Sequence, residues 1–267
     1  MLVRISILLL MLGVATSPAI AEQTEVLATS YIVQDIDTGE IIKSHNDHEV
    51  RSIASVTKLM TSIVILDSGI NLDKVVTVRR QRGMHSKIPN KSKLPLHVLM
   101  HLSLMSSDNL ATKVLAQNYP GGESAHLAAM NLKAVELGML DTHYTDPTGL
   151  DDTNVSTAQD LSKLVGHAEH YELIKEFSTT VDHKIVVPGK KRKSRTLQFF
   201  TTNKLVKNNP DIIISKTGWI RKSGGCLVML VQEQERRLAI VLLNSRNTHT
   251  RLRDGELLYG LEHGKNI

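Results

Sequence analysis

The sequence predicts an α+β fold, in which an antiparallel sheet is assembled from both chain ends and a helical segment is inserted between them. Three observations carry this. A β-branched stretch and a turn follow soon after the N-terminal leader. Apolar residues then recur at helical spacing through the middle of the chain. Two apolar, β-rich runs close the sequence, joined by a polar turn and followed by one more helical stretch.

Taken in order, Thr24–Ile36 alternates loosely and is rich in β-branched residues, so it reads as a strand. Asp37-Thr38-Gly39-Glu40 is a turn, and Ile41-Ile42 begins the return strand. Helical spacing starts at Ala54–Leu66 and recurs in Leu96–Met105, Leu110–Ala116 and Ser124–Leu137, the last ending at Gly138. Ser156-Thr157-Ala158-Gln159 fits a capping box that opens a helix through Val165. Strand character returns at Lys184–Val187 and Leu197–Thr201. It is strongest in Cys226–Gln232 and Leu238–Asn244, two adjacent antiparallel strands joined by Glu233-Gln234-Glu235-Arg236. Residues 22–267 are expected to form a single domain, with a helical subdomain over roughly residues 61–185 set into the sheet.

The leader itself has targeting character. Arg4 precedes the apolar run Ile5–Ala15, and Ala19-Ile20-Ala21 places small residues where a signal peptidase reads. Residues 1–21 are therefore expected to be a cleaved secretory signal, the competing readings being a short anchor or a core helix. The run is short for a bilayer span, and no later segment is long and apolar enough for one. Arg251–Gly260 is too short and too charged to anchor in a membrane surface.

Composition narrows the function. The chain has 267 residues, 32 Lys+Arg against 27 Asp+Glu, and only 3% aromatic residues, which argues against stacking platforms for single-stranded nucleic acid. The lone cysteine, Cys226, excludes an intrachain disulfide and any multi-cysteine metal site, and in an apolar strand it reads as a packed thiol. Twelve histidines include close pairs, but no His-Glu-x-x-His, so no metal is expected. The basic run Lys190–Lys193 with Arg195 reads as a solvated loop, with contact to an acidic partner as the alternative.

Three short motifs carry chemistry. In Ser55-Val56-Thr57-Lys58, residues three apart share one helix face, so Lys58 can reach the Ser55 hydroxyl and, with a lowered pKa, take its proton. In Ser107-Asp108-Asn109, a second hydroxyl could relay protons and an amide could bind a substrate carbonyl. In Lys216-Thr217-Gly218, after Ile212-Ile213-Ile214, a cation and a hydroxyl at a strand start could clamp a carboxylate, while the glycine admits close backbone approach. Each motif alone also fits a cap, a turn or a strand edge. Their order and spacing together are far more specific, and match the triple associated with class A β-lactamases and penicillin-binding proteins.

With those residues in place, the sequence resembles the low-molecular-mass penicillin-binding proteins, the serine D-alanyl-D-alanine peptidases. The resemblance runs over roughly residues 25–247. It includes Ile53–Thr61 around the first motif and Leu104–Asn109 around the second. Ala129-Met130-Asn131, Leu137-Gly138-Met139, Asp146-Pro147-Thr148-Gly149-Leu150, Asn154–Ala158, Thr202-Asn203-Lys204-Leu205 and Ser215–Trp219 complete it. Only room for one helix follows the last strand. The look is therefore nearer the endopeptidase branch, the penicillin-binding protein seven or eight type, than carboxypeptidases carrying a C-terminal β domain and a membrane anchor.

What the resemblance implies is an α/β sandwich of the β-lactamase and transpeptidase kind and a hydrolase exported to the periplasm without a stable membrane anchor. It would act on D-alanyl cross-links of peptidoglycan and be acylated by β-lactams. Ser55 would be the nucleophile, Lys58 the base and Ser107 the proton relay. Asn109, Lys216, Thr217, Gly218 and Trp219 would bind substrate, with the Ser55 and Trp219 N–H groups as oxyanion hole. No cofactor and no nucleic acid are implied. The alternatives are a D-alanyl-D-alanine carboxypeptidase and, more distantly, a class A-like β-lactamase, which would need a Glu-x-x-Leu-Asn segment absent from this chain. A non-catalytic peptidoglycan-binding protein would be expected to lose Ser55 or Lys58.

Overall fold

The computed structural model describes residues 25–188 and 193–262. The proposed signal segment and Lys190, Lys191 and Arg192 of the basic run lie outside them. The chain opens with β1 (Ser30–Asp35), β2 (Ile41–His45) and β3 (Arg51–Ser52). A 3-10 turn, Ala54–Thr57, leads directly into α1 (Lys58–Asp67). Then come β4 (Val75–Val78), β5 (Ser92–Pro95), α2 (Leu96–Met105), α3 (Asn109–Gln117) and α4 (Gly122–Glu136). Next are β6 (Val155–Ser156), α5 (Ala158–Ala168), α6 (Glu172–Thr179) and the hairpin β7 (Asp182–Pro188) and β8 (Ser194–Phe200). The chain returns through β9 (Ile212–Ile220), β10 (Gly224–Glu233), β11 (Arg236–Ser245) and α7 (Thr248–Glu262).

The main sheet has the order β2-β1-β11-β10-β9, every neighbour antiparallel. The two chain ends meet where Ile32 of β1 pairs with Val241 of β11. The expected α+β architecture, an antiparallel sheet from both ends with helices between, is therefore present. The runs in β10 and β11 are continuously apolar because both faces are covered. Cys226, Val228 and Leu230 face the large core shared with α1, while Leu227, Met229 and Val231 face a smaller core that includes Leu258 and Tyr259 of α7. In α1, Leu59, Met60, Ile63, Val64 and Ile65 are all buried, as are Lys58, Thr61 and Ser62, so this helix is covered nearly all round and runs through the large core. Its N-terminal end emerges beside β9, which places Ser55 at the sheet edge.

Three local expectations need correction. The cap of α5 is Thr157, whose hydroxyl accepts from the Asp160 N–H at 3.0 Å, because Ser156 is drawn into β6 opposite Arg51. Lys216-Thr217-Gly218 does not start a strand: β9 begins at Ile212 and runs through the motif to Ile220, so these residues sit within the edge strand. Of the strand expected over Thr24–Ile36, Thr24 lies outside the described residues, and within them the strand begins at Ser30 and ends at Asp35.

Candidate active site

The turn that carries Ser55 is held from three sides. The Ile53 N–H donates to the Asn154 carbonyl at 3.1 Å, and the Asn154 amide donates to the Thr57 hydroxyl at 3.0 Å. Ala54 adopts φ 46°, a left-handed conformation that costs a non-glycine residue about 1–2 kcal/mol and persists only where surroundings enforce it. The enforcing contacts come from two glycines. A Cβ on Gly149 would lie 1.9 Å from the Ala54 carbonyl oxygen, and one on Gly218 would lie 2.9 Å from the Ile53 carbonyl oxygen and 3.0 Å from the Ser55 nitrogen. Gly149 also has φ 78°. Both the 146–150 loop and β9 therefore press their backbones onto the nucleophile turn, which explains why the Asp146–Leu150 and Asn154–Ala158 landmarks accompany the motif.

Lys58 opens α1 and has no solvent exposure. Its Nζ donates to Ser55 Oγ at 2.7 Å, to Asn109 Oδ1 at 2.8 Å and to the Thr148 carbonyl at 2.5 Å. Burial drives its pKa down to about 7, against the pull of the Asp146 and Asp108 carboxylates. An amine that is half neutral at pH 7, in hydrogen-bond contact with a serine hydroxyl, is a competent base for that hydroxyl.

The second motif forms the joint between α2 and α3. Ser107 sits at φ 58°, turned out of helical geometry. Asp108 is the cap of α3: its carboxylate accepts from the Ala111 N–H at 2.9 Å and from the Ser86 hydroxyl at 2.6 Å. That capping aims Asn109 at Lys58 and leaves Ser107 facing β9. There Lys216 Nζ donates to Ser107 Oγ at 3.0 Å and to the Thr217 carbonyl at 2.8 Å. Lys216 is buried, and burial together with Lys58 and Arg251 holds its pKa well below the ordinary lysine range. Two serine–lysine pairs thus stand side by side.

Above them lies an open cleft of about 370 Å³. Ser55, Ser107, Asn109, Thr217, Gly218 and Trp219 all line it, so six of the eight expected site residues share one cavity. Lys58 and Lys216 lie beneath its floor and reach it through the two serine hydroxyls. Thr217 donates its hydroxyl proton to Thr202 Oγ1 at 2.7 Å, and Thr202 also lines the cleft.

Arg251 was not anticipated as a site residue. It is only 4% exposed, donates through Nη1 to the Gly218 carbonyl at 3.0 Å, and has its Nε unpaired among the described residues. One sequence signal pointed to it. Arg251 stands in the first turn of a helix, where a cation opposes the helix dipole, so the helix itself gives that charge no favourable place. The Thr148 carbonyl was also missed, since a backbone acceptor has no side-chain signature. Cys226 is buried opposite Gly218, its thiol pKa raised by burial.

Comparison with known proteins gives the family. The D-alanyl-D-alanine carboxypeptidase family profile matches residues 17–247. A D-alanyl-D-alanine endopeptidase of Pseudomonas aeruginosa is 38% identical, over 88% of this chain and 77% of the relative. One of Escherichia coli is 37% identical, over 89% and 78%. A Streptomyces DD-transpeptidase shares the fold at a TM-score of 0.83, with 23% identity, over 90% of this chain and 98% of that one. A Listeria monocytogenes penicillin-binding protein solved with bound cefotaxime shares it at 0.77, also with 23% identity, over 90% and 98%. By profile and by relatives, this chain belongs to the D-alanyl-D-alanine carboxypeptidase family, and it resembles that family's D-alanyl-D-alanine endopeptidases.

Proposed function

We propose that the protein is a serine DD-peptidase of the periplasm that hydrolyses D-alanyl cross-links in peptidoglycan. The observation that carries this is Lys58, fully buried, with a pKa near 7 and its amine 2.7 Å from Ser55 Oγ. Neutral Lys58 takes the Ser55 proton as Oγ bonds to the D-alanine carbonyl carbon. The Ser55 and Trp219 N–H groups receive the oxyanion that forms. As the C–N bond breaks, Ser107 hands its proton to the departing amine and recovers the one that Lys58 took from Ser55, which leaves Lys58 neutral again. Water then attacks the ester carbon and gives a proton to Lys58, and as the C–O bond breaks Lys58 returns that proton to Ser55 Oγ. Asn109 orients the peptide backbone. Thr217 and Arg251, with Lys216 behind them, supply the positive, donor-rich end of the cleft for the carboxylate beside the scissile bond.

A diaminopimelate cross-link keeps a free carboxylate on the carbon bearing the departing amine, as a terminal D-alanine does, so the same clamp serves both reactions. β-Lactams place a carboxylate beside a strained amide and acylate Ser55. None of the residues lining the cleft is a carboxylic acid, the group a class A-like β-lactamase would use to activate water against the penicilloyl ester, so antibiotic turnover is expected to be slow. Mass spectrometry of the products from a purified cross-linked muropeptide dimer and a pentapeptide monomer tests the proposal. Dimer cleavage by the wild type, abolished in Ser55→Ala, is expected. Release of terminal D-alanine from the pentapeptide alone would make the protein a carboxypeptidase. Rapid turnover of a chromogenic cephalosporin would make it a β-lactamase. Among the described residues no helix is long and apolar enough to cross a membrane.

A further inference from the structure

Past Ser107 the surface opens into a second cavity of about 520 Å³. Its walls are His85 and Lys87 from the loop before β5, Ser106 and Ser107 at the end of α2, and Phe199 and Phe200 at the end of β8. Lys87 Nζ stands 5.7 Å from the Phe199 ring centroid and is solvent-exposed, and the structure gives it no ion pair among the described residues. Phe200 is 54% exposed, a large apolar surface left open to solvent, whereas its neighbour Phe199 is buried in the large core. Asp108 also borders the cavity, but its carboxylate is buried and occupied by Ser86 and Ala111.

We propose that this cavity holds the departing strand of the cross-link, an anionic peptide entered through the diaminopimelate side chain. The inference rests on the DD-peptidase reading and deepens it. Two placements put the cavity on the departing side. Ser107 lines both cavities and is the group that protonates the departing amine, so what lies beyond it faces the same amine. Phe200 is followed by Thr201 and Thr202, and the Thr202 hydroxyl accepts from Thr217 at the carboxylate end of the cleft. The chemistry matches this position. In diaminopimelate three methylenes separate the departing amine centre from the second amino-acid centre, and the strand beyond carries further carboxylates. The exposed Phe200 ring suits the methylenes, and the exposed Lys87 ammonium, which lies over the buried Phe199 ring, suits the carboxylates. A departing free D-alanine ends inside the first cleft and touches neither Lys87 nor Phe200. These two residues would therefore favour cross-link cleavage over D-alanine release.

The test uses the wild-type protein, Lys87→Glu and Phe200→Ala. Three rates are measured for each: cleavage of the cross-linked dimer, D-alanine release from the pentapeptide, and acylation by a fluorescent penicillin. In parallel, calorimetry gives the Kd of the disaccharide tetrapeptide, the departing half, for Ser55→Ala with and without Lys87→Glu. The expected result is a roughly five- to thirtyfold fall in kcat/KM on the dimer for Lys87→Glu, carried by KM, with the other two rates within about twofold of wild type. The tetrapeptide Kd weakens by a similar factor. An equal fall in all three rates, or an unchanged dimer rate and an unchanged Kd, would overturn the proposal. If the wild type leaves the dimer uncut, the peptidase reading fails on its own. The Kd then decides alone, an unchanged value overturning the cavity assignment and a weakened one upholding it.

Discussion

The pH dependence of acylation follows directly from the burial of Lys58. The neutral amine is the base, and burial sets its pKa at about 7. The reactive fraction is then about one tenth at pH 6, one half at pH 7 and nine tenths at pH 8, so the second-order acylation rate should rise roughly tenfold from pH 6 to pH 8 and level off above. The sign follows from the charge type: lowering a lysine pKa extends its neutral, proton-accepting form downward in pH. Asp108 and Asp146 oppose burial by favouring the ammonium. Replacing Asp108 by Asn keeps a side-chain oxygen able to cap α3 and removes one of these charges. The inflection of Asp108→Asn should therefore fall below that of the wild type by up to about one unit. The assay is gel-resolved labelling by a fluorescent penicillin over pH 5 to 9, quenched at short times. A flat profile, an inflection near that of a solvated lysine, or an Asp108→Asn inflection above the wild-type value would refute the reasoning.

Two further outcomes follow from the packing around Ser55. Gly149→Ala forces a Cβ to within bonding range of the Ala54 carbonyl at a left-handed position. It should lower the unfolding free energy by about 3 kcal/mol or more in urea titration and abolish acylation, whereas the unhindered Gly39→Ala should lose about 1 kcal/mol or so and acylate normally. Arg251→Ala should reduce kcat/KM on the carboxylate-bearing dimer by roughly ten- to a hundredfold, with Arg251→Lys intermediate. Equal rates for all three proteins would remove Arg251 from substrate binding.

What the sequence made legible was what side chains write locally. The β10 and β11 runs were plain because each is apolar on both faces, and the three motifs were plain because each is contiguous. Less could be read where a segment's state is set by distant partners. The short α6 lies between stronger signals, and β4 and β5 exist only by pairing with each other. Within the site, the left-handed Ala54 is imposed by Gly149 and Gly218, 95 and 164 positions away in the chain. The third acceptor of Lys58 is a carbonyl contributed 90 residues downstream. Arg251 reaches Gly218 across 33 residues, and its only local trace is a cation at the wrong end of a helix. Asp108, read as part of a catalytic motif, serves chiefly to cap α3 and so to aim its neighbours.

The most direct test of the central claim is to locate the acyl group. After incubation with benzylpenicillin, tryptic digestion should release Ser52–Lys58 as one peptide, since cleavage falls after Arg51 and Lys58. The account predicts that this peptide carries one penicilloyl group, that fragmentation assigns it to Ser55, and that Ser55→Ala gives the unmodified mass. A penicilloyl group on Ser107 or elsewhere, or a covalent adduct that survives in Ser55→Ala, would contradict it.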